Sequence, residues 1–99
     1  MTIREIKQAN AAAGFHFFDR TTMRFFHSRV EGRTYEGPGG IYFITSEQFH
    51  GSISSEPRKY TVRRFYPKTG DIDTVGKFNE IVTRLDARLD ARLLAKKKS

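Results

Sequence analysis

The stretch Arg58-Lys-Tyr-Thr-Val-Arg-Arg-Phe-Tyr-Pro-Lys-Thr-Gly-Asp-Ile-Asp-Thr-Val-Gly76 predicts a β-hairpin around which the rest of the chain is arranged. In its first half, β-branched and aromatic residues alternate with period two, which is typical of a half-buried strand. Pro67 to Gly70 predict a tight turn, because proline presets φ and glycine accepts positive φ. Ile72 to Val75 then predict the return strand.

Composition favours one small, folded, basic domain. The chain has 99 residues, 37% of them hydrophobic and 13% aromatic, which argues against disorder. It has no cysteine, so disulfides and thiolate metal sites are excluded. No run approaches the roughly 18 apolar residues of a membrane span, and the first residues lack the apolar segment of a signal peptide. We therefore expect a cytoplasmic protein with no membrane contact.

The two ends of the chain predict helices. Thr2 to Ala13 has a capping box formed by Thr2 and Glu5. The last helix is predicted from Gly76 to Lys98, with one apolar stripe facing the sheet. The stripe consists of Phe78, Ile81, Val82, Leu85, Leu89 and Leu93.

Further strands are predicted between the first helix and the hairpin. Residues 15–18 and 23–30 predict two strands, and residues 40–45 predict a central strand covered on both faces. Residues 31–40 predict a loop because they contain four glycines and a proline, and residues 46–57 predict an exposed excursion. We therefore expect an α+β domain over residues 1–95, with a basic tail at residues 96–99. Its antiparallel sheet has four to five strands, and both helices pack on one face.

The last helix contains the repeat Leu85-Asp-Ala-Arg-Leu-Asp-Ala-Arg92, which has a period of four. With the same spacing of four, Arg84, Arg88, Arg92 and Lys96 form a basic ridge that winds by about 40° per repeat. Because like charges four apart repel each other, the ridge indicates a polyanion or an acidic partner. The alternative interpretation is a solvated basic face. The apolar stripe continues to Leu93, beyond the expected sheet, so a second copy of the chain is a candidate partner.

Basic residues also alternate with aromatic residues in the sheet. The net charge is +7, which favours polyanionic partners, and arginine beside an exposed aromatic ring suits phosphate contact and base stacking. The alternative is that the aromatics are core and the arginines are solvated. If both helices cover the Tyr60 side, Arg63 is the outward residue. The candidate partner- or polyanion-binding residues are Arg63, Arg64, Arg84, Arg88, Arg92, Lys96, Arg24 and Arg29.

No stretch of the sequence predicts catalysis. His16 and His27 can face each other if residues 15–18 and 23–27 form a hairpin, but a metal site there depends on the register. Asp71 and Asp73 share a strand face, an arrangement more typical of exposed charges beside a turn. No nucleophile motif or phosphate-binding glycine loop is present. We therefore expect a protein that is not an enzyme and has no metal and no cofactor.

Several short sequence segments together resemble those of a family of small uncharacterised proteins of bacteriophages, prophages and plasmids, over residues 3–78. They are Ile6-Lys-Gln-Ala-Asn10, Gly14-Phe-His-Phe-Phe18, Thr22-Met-Arg-Phe-Phe26, Ser28-Arg-Val30, Tyr42-Phe-Ile-Thr-Ser-Glu47, Tyr60-Thr-Val-Arg63 and Thr69-Gly-Asp-Ile-Asp-Thr-Val-Gly76. The resemblance implies no catalytic residue. By analogy with other small proteins of mobile elements, such an origin favours a protein of the anti-CRISPR kind, which inhibits or modulates a host nucleic-acid-processing or defence machine in the bacterial cytoplasm by direct binding. The partner is then a host protein or nucleoprotein complex. The alternative is an accessory protein that binds DNA or RNA directly.

Overall fold

The computed structural model describes residues 1–19, 28–48 and 57–97, and these ranges contain two helices and one sheet. The helices are α1 (Ile3–Ala12) and α2 (Arg84–Lys96). The strands are β1 (Arg29–Gly37), β2 (Gly40–Glu47), β3 (Lys59–Tyr66) and β4 (Asp71–Val75). They form an antiparallel sheet in the order β1-β2-β3-β4. The prediction of an α+β fold with an antiparallel sheet of four to five strands is confirmed, with four strands in the described residues.

The predicted hairpin forms the second half of the sheet. β3 pairs with β4 from Val62↔Val75 to Tyr66↔Asp71, and Gly70 takes a φ of 78° in the turn between them. The predicted central strand is β2, which pairs with β1 and β3 and is buried over nearly all its length. Central position and burial on both faces therefore follow the sequence pattern.

Two predictions near the first helix are wrong. Residues 31–37 belong to β1 rather than to a loop, although they include two glycines, and Thr34 to Gly37 pair with β2 in register. Residues 15–18 are not a strand. The chain instead turns back after α1, so that Phe17 packs edge-to-face against Phe43 of β2 and Phe18 stacks on the same ring. Residues 23–27 and 49–56, for which a strand and an excursion were predicted, lie outside the described residues, as do His27 and His50.

The two helices lie on opposite faces of the sheet, so the prediction that both pack on one face is wrong. Ile6 of α1 packs with Ile41, Phe43 and Phe65. The alanines of α2 pack on the other face of the sheet, against the strand residues that alternate with those contacted by α1, among them Tyr42, Ile44 and Val62. Because successive side chains of a strand point to opposite faces, β2, which is buried on both faces, binds one helix on each side.

Helix α2 is shorter than predicted and is rotated relative to the prediction. It begins at Arg84, after the N-cap Thr83 accepts a hydrogen bond from the Asp86 backbone N–H at 3.1 Å. Upstream, Ile81 pairs with Tyr60 in an isolated β-bridge. The buried face of the helix consists of Ala87, Ala91 and Ala95. The predicted leucine stripe faces solvent: Val82, Leu85 and Leu93 are each 66% exposed and Leu89 is 44% exposed.

Close approach of helix and sheet explains why alanine rather than leucine is buried. The C-terminal turn of α2 lies on the β1–β2 turn, where the Gly39 backbone N–H donates to the Ala95 carbonyl at 2.9 Å. A Cβ at Gly37 or Gly39 would overlap the carbonyl oxygens of Ala95 and Leu94. Tyr35 and Tyr42 fill the space below the helix, so the larger leucines are left on the outer side. Lys96 is the last residue of this helix rather than part of a tail.

Candidate anion-binding cleft

Three arginines converge at the end of the sheet where α2 begins. The register aligns Arg29 of β1 with Ser46 of β2, and Ser46 with Tyr60 of β3, in one row across three strands. Arg84, the first residue of α2, lies over the Tyr60 ring. The groups enclose a cleft of about 230 Å³. The residues that line it are Arg29, Val30, Glu31, Ile44, Ser46, Arg58, Tyr60 and Arg84.

Two of the three guanidinium groups are held by neighbouring groups. Arg58 donates from Nε to the Ser46 hydroxyl at 3.1 Å and from Nη2 to the Ser46 carbonyl at 2.8 Å. The Arg84 Cζ lies 5.7 Å from the centre of the Tyr60 ring, within the range of a cation–π contact. Arg29 is exposed at the rim. The cleft therefore has two guanidinium groups held in place, those of Arg58 and Arg84, and one exposed guanidinium group at its rim, that of Arg29.

The arginines repel one another in this cleft. Partial burial lowers the pKa of the Arg58 guanidinium, and the positive charges of Arg29 and Arg84 lower it further. Glu47 and Tyr60 counteract this shift only in part. Like charges raise each other's free energy when they share a site. An anion bound between these arginines would relieve that repulsion.

Arg88 belongs to a structural contact beside the cleft. Its Nε donates to Glu31 Oε1 at 2.7 Å, and this hydrogen bond raises the pKa of the Arg88 guanidinium. The sheet supplies Glu31 through an irregularity in β1, where the register with β2 shifts between Val30 and Thr34. Arg88 is therefore neutralised within the chain and is a weaker candidate for a partner contact than Arg84.

Arg63 is not the outward residue that the sequence predicted. It is only 8% exposed, because α1 and the aromatic residues near it cover this face. Its Nε donates to Thr45 at 3.1 Å and its Nη1 to Thr74 at 2.6 Å. The buried Glu47 carboxylate lies 3.8 Å from its Nη2. Burial lowers the pKa of the Arg63 guanidinium. Its role in this position is structural.

Arg64 points to the other face and lies at the opposite end of the sheet from the cleft. Its Cζ lies 4.7 Å from the Tyr66 ring centre and 5.6 Å from that of Tyr42. Its guanidinium packs over Gly40, and Nε is buried without a hydrogen-bond partner. Arg64 also lines an open pocket of about 570 Å³ between the two hairpin turns. It is thus a candidate contact residue separate from the arginine cleft.

The remaining predicted site residues are distributed rather than clustered. Arg92 and Lys96 are exposed on α2 and make no ion pair with any residue that the structure describes. Arg24 lies outside the described residues. Arg58, by contrast, was not singled out by the sequence pattern. It shares strand parity with Tyr60 two residues later, which is the signal that could have identified it.

Comparison with known protein families assigns the chain to one of them. The profile of a family of unknown function, DUF7447, matches residues 2–92. The chain belongs to this family. No curated protein and no solved structure matches the chain. The family assignment therefore adds no ligand, reaction or partner to what the cleft itself indicates.

The three arginines make the cleft a candidate anion-binding site, although the lining also includes the Glu31 carboxylate, which accepts a hydrogen bond from Arg88. Arginine forks match phosphate and carboxylate oxygens and tolerate partial burial.

In residues 1–19, 28–48 and 57–97, no three or more histidine, aspartate or glutamate side chains come together in a way that could hold a metal ion. The Asp71 carboxylate accepts from the Ile72 backbone N–H at 2.8 Å at the edge of the hairpin turn. Neither described helix is long and apolar enough to cross a membrane.

Proposed function

We propose that the protein is a non-catalytic module that binds nucleic acid through the arginine cleft. The observation that carries the proposal is the convergence of Arg29, Arg58 and Arg84 around the Tyr60 ring. Guanidinium groups contact phosphate oxygens, and an aromatic ring beside them offers a surface for a base. The positive end of the α2 dipole, which starts at the cleft, adds to its attraction for anions.

The net charge of +7 supports the same proposal over a longer range, because a basic protein attracts polyanions before contact. The cleft is small, so it takes one or two backbone phosphates of a single strand rather than a duplex. The residues that line the cleft present no paired hydrogen-bond donors and acceptors that would distinguish one base from another. We therefore expect binding with little sequence preference, in the cytoplasm.

The test is fluorescence anisotropy with labelled single-stranded RNA and DNA at low salt. Neutralising one or two backbone phosphates of a single strand predicts a slope of log affinity against log salt of about −1. Arg29→Gln with Arg84→Gln should lower affinity at least about tenfold, a change of about 1.4 kcal/mol. The matched control is Arg4→Gln with Lys7→Gln, which removes the same charge from the exposed face of α1. Absence of binding at low salt, or an equal loss in the control, contradicts the proposal.

A second candidate is the function that the resemblance implies: direct binding and inhibition of a host nucleic-acid-processing or defence machine. Arginine forks accept carboxylates as well as phosphates, so an acidic protein surface fits the same cleft. Pull-down from a bacterial lysate, with and without nuclease treatment, separates the two candidates. A partner retained after nuclease treatment and lost in the Arg29/Arg84 variant supports this candidate. A partner lost after nuclease treatment supports direct nucleic-acid binding.

A further inference from the structure

The outer face of α2 is an apolar surface that the described part of the fold leaves uncovered. In the repeat of period four, each leucine lies two residues from an alanine, about 200° around the helix. Burial of Ala87, Ala91 and Ala95 therefore turns the leucines outward. Leu85 and Leu93 are 66% exposed and Leu89 is 44% exposed, although a helix normally buries its leucines. A contiguous exposed row of this kind marks an interaction surface.

The charges beside this leucine row are divided by sign. Asp86 and Asp90 follow a leucine and lie on one flank, whereas Arg92 and Lys96 lie on the other. These four side chains are exposed and make no ion pair with another described residue. Within the helix each flank contains like charges four residues apart, which repel. A partner with the opposite arrangement of charge would relieve the repulsion on both flanks.

We propose that the leucine row binds a second copy of this chain, with the two α2 helices parallel. A two-fold axis along the helices places the aspartate flank of one copy beside the Arg92 and Lys96 flank of the other, on both sides of the seam. An antiparallel pair places aspartates beside aspartates and basic residues beside basic residues, which is repulsive. The chain is thus charge-complementary to itself in one orientation, which is the reason to commit to a second copy.

The size of the surface sets the expected strength of the dimer. The 13 residues of α2 span about 20 Å, so one helix buries less than the roughly 800 Å² per partner of a standard interface. We therefore expect a reversible dimer with a micromolar dissociation constant. Because Arg84 is the first residue of α2, a parallel pair brings the two arginine clefts to the same end of the dimer. The dimer itself does not rest on nucleic-acid binding.

Sedimentation velocity over a range of protein concentrations tests the interface in the absence of nucleic acid. The wild type should shift from monomer to dimer as concentration rises. Leu85→Ser, Leu89→Ser and Leu93→Ser together should give a monomer throughout, with an unchanged circular dichroism spectrum. Phe15→Ser, which removes an exposed aromatic ring after α1, is the control and should still dimerise. A wild type that stays monomeric at every concentration, or a triple variant that still dimerises, overturns the proposal.

Disulfide cross-linking tests the orientation, since the natural chain has no cysteine. In a parallel pair, Leu85→Cys and Leu93→Cys should each cross-link to themselves under mild oxidation. In an antiparallel pair, cross-links form only when the two variants are mixed. That result overturns the parallel orientation. Ala12→Cys, exposed at the end of α1, should give no cross-link in either case.

Discussion

Arg63 and Arg64 are consecutive in β3, yet they lie on opposite faces and have different environments. Arg63 is enclosed by Thr45, Thr74 and Glu47, whereas Arg64 stacks on tyrosines beside an open pocket. Alternation along a strand explains the separation. Burial of Arg63 arises because a helix covers each face of the sheet, so that neither side of the central strands is left to solvent.

The pair of Arg63 and Glu47 should couple strongly in folding. Arg63→Met is expected to lower the free energy of unfolding by about 3–5 kcal/mol, because it leaves a buried carboxylate without its cation. Arg63→Met combined with Glu47→Leu should recover much of that loss, since both charges are then removed. Urea denaturation of the two single variants and the double variant measures the coupling. Strictly additive losses would show that the two side chains do not stabilise each other.

At the scale of elements, α2 shows how close packing selects one of two apolar faces. The sequence offers a leucine row and an alanine row on almost opposite sides of the helix. The β1–β2 turn approaches the helix so closely that Gly39 and the Ala95 carbonyl are hydrogen-bonded at 2.9 Å. Only the small side chains fit at that distance. The larger hydrophobic residues are therefore left on the solvent-exposed side of the helix.

The stability of the fold should be sensitive to substitutions on the alanine side of α2 and insensitive to substitutions on the leucine side. Ala91→Leu is expected to destabilise the fold by about 1–3 kcal/mol, because the added volume forces the helix away from the sheet. Leu89→Ala should change the stability of the monomer by less than about 0.5 kcal/mol. Thermal unfolding at a concentration that keeps the chain monomeric compares the two. A larger effect of Leu89→Ala would mean that the leucine row is buried within the monomer.

At the scale of the whole molecule, the two surfaces for which we propose a function lie on the same side of the sheet. Arg84 contributes to the cleft, and Leu85, the next residue, begins the leucine row. α1 and the buried Arg63 lie on the other side and stabilise the fold. Helix α2 therefore contributes residues to both the proposed dimer surface and the proposed anion-binding cleft.

A parallel dimer should bind long nucleic acid by using both clefts at once. The Leu85/Leu89/Leu93→Ser variant is expected to bind an oligonucleotide that fills one cleft as the wild type does. On a strand long enough to reach both clefts, it should bind about 10²-fold more weakly, because the second contact is lost. Anisotropy titrations with short and long single strands measure the difference. An equal loss on both lengths would contradict the arrangement.

Local patterns in the sequence determined the elements with the clearest chemistry. The alternation of residues 60–66 and the Pro67–Gly70 turn predicted the β3–β4 hairpin, and Thr2 with Glu5 predicted the start of α1. The charge of individual residues was equally plain, so Arg29, Arg84 and Lys96 were candidates from sequence alone. These features depend on neighbours in the chain, which the sequence contains directly.

Only the tertiary structure decided which faces are covered. Period-four spacing supplies both an alanine face and a leucine face, and nothing within the helix chooses between them. The choice depends on the distance to the β1–β2 turn, set by Gly37 and Gly39. In the same way, the cleft requires Arg29, Arg58 and Arg84 to meet across three elements. The sequence determined the chemistry of each side chain, and packing between segments distant in the chain determined which side chains face solvent.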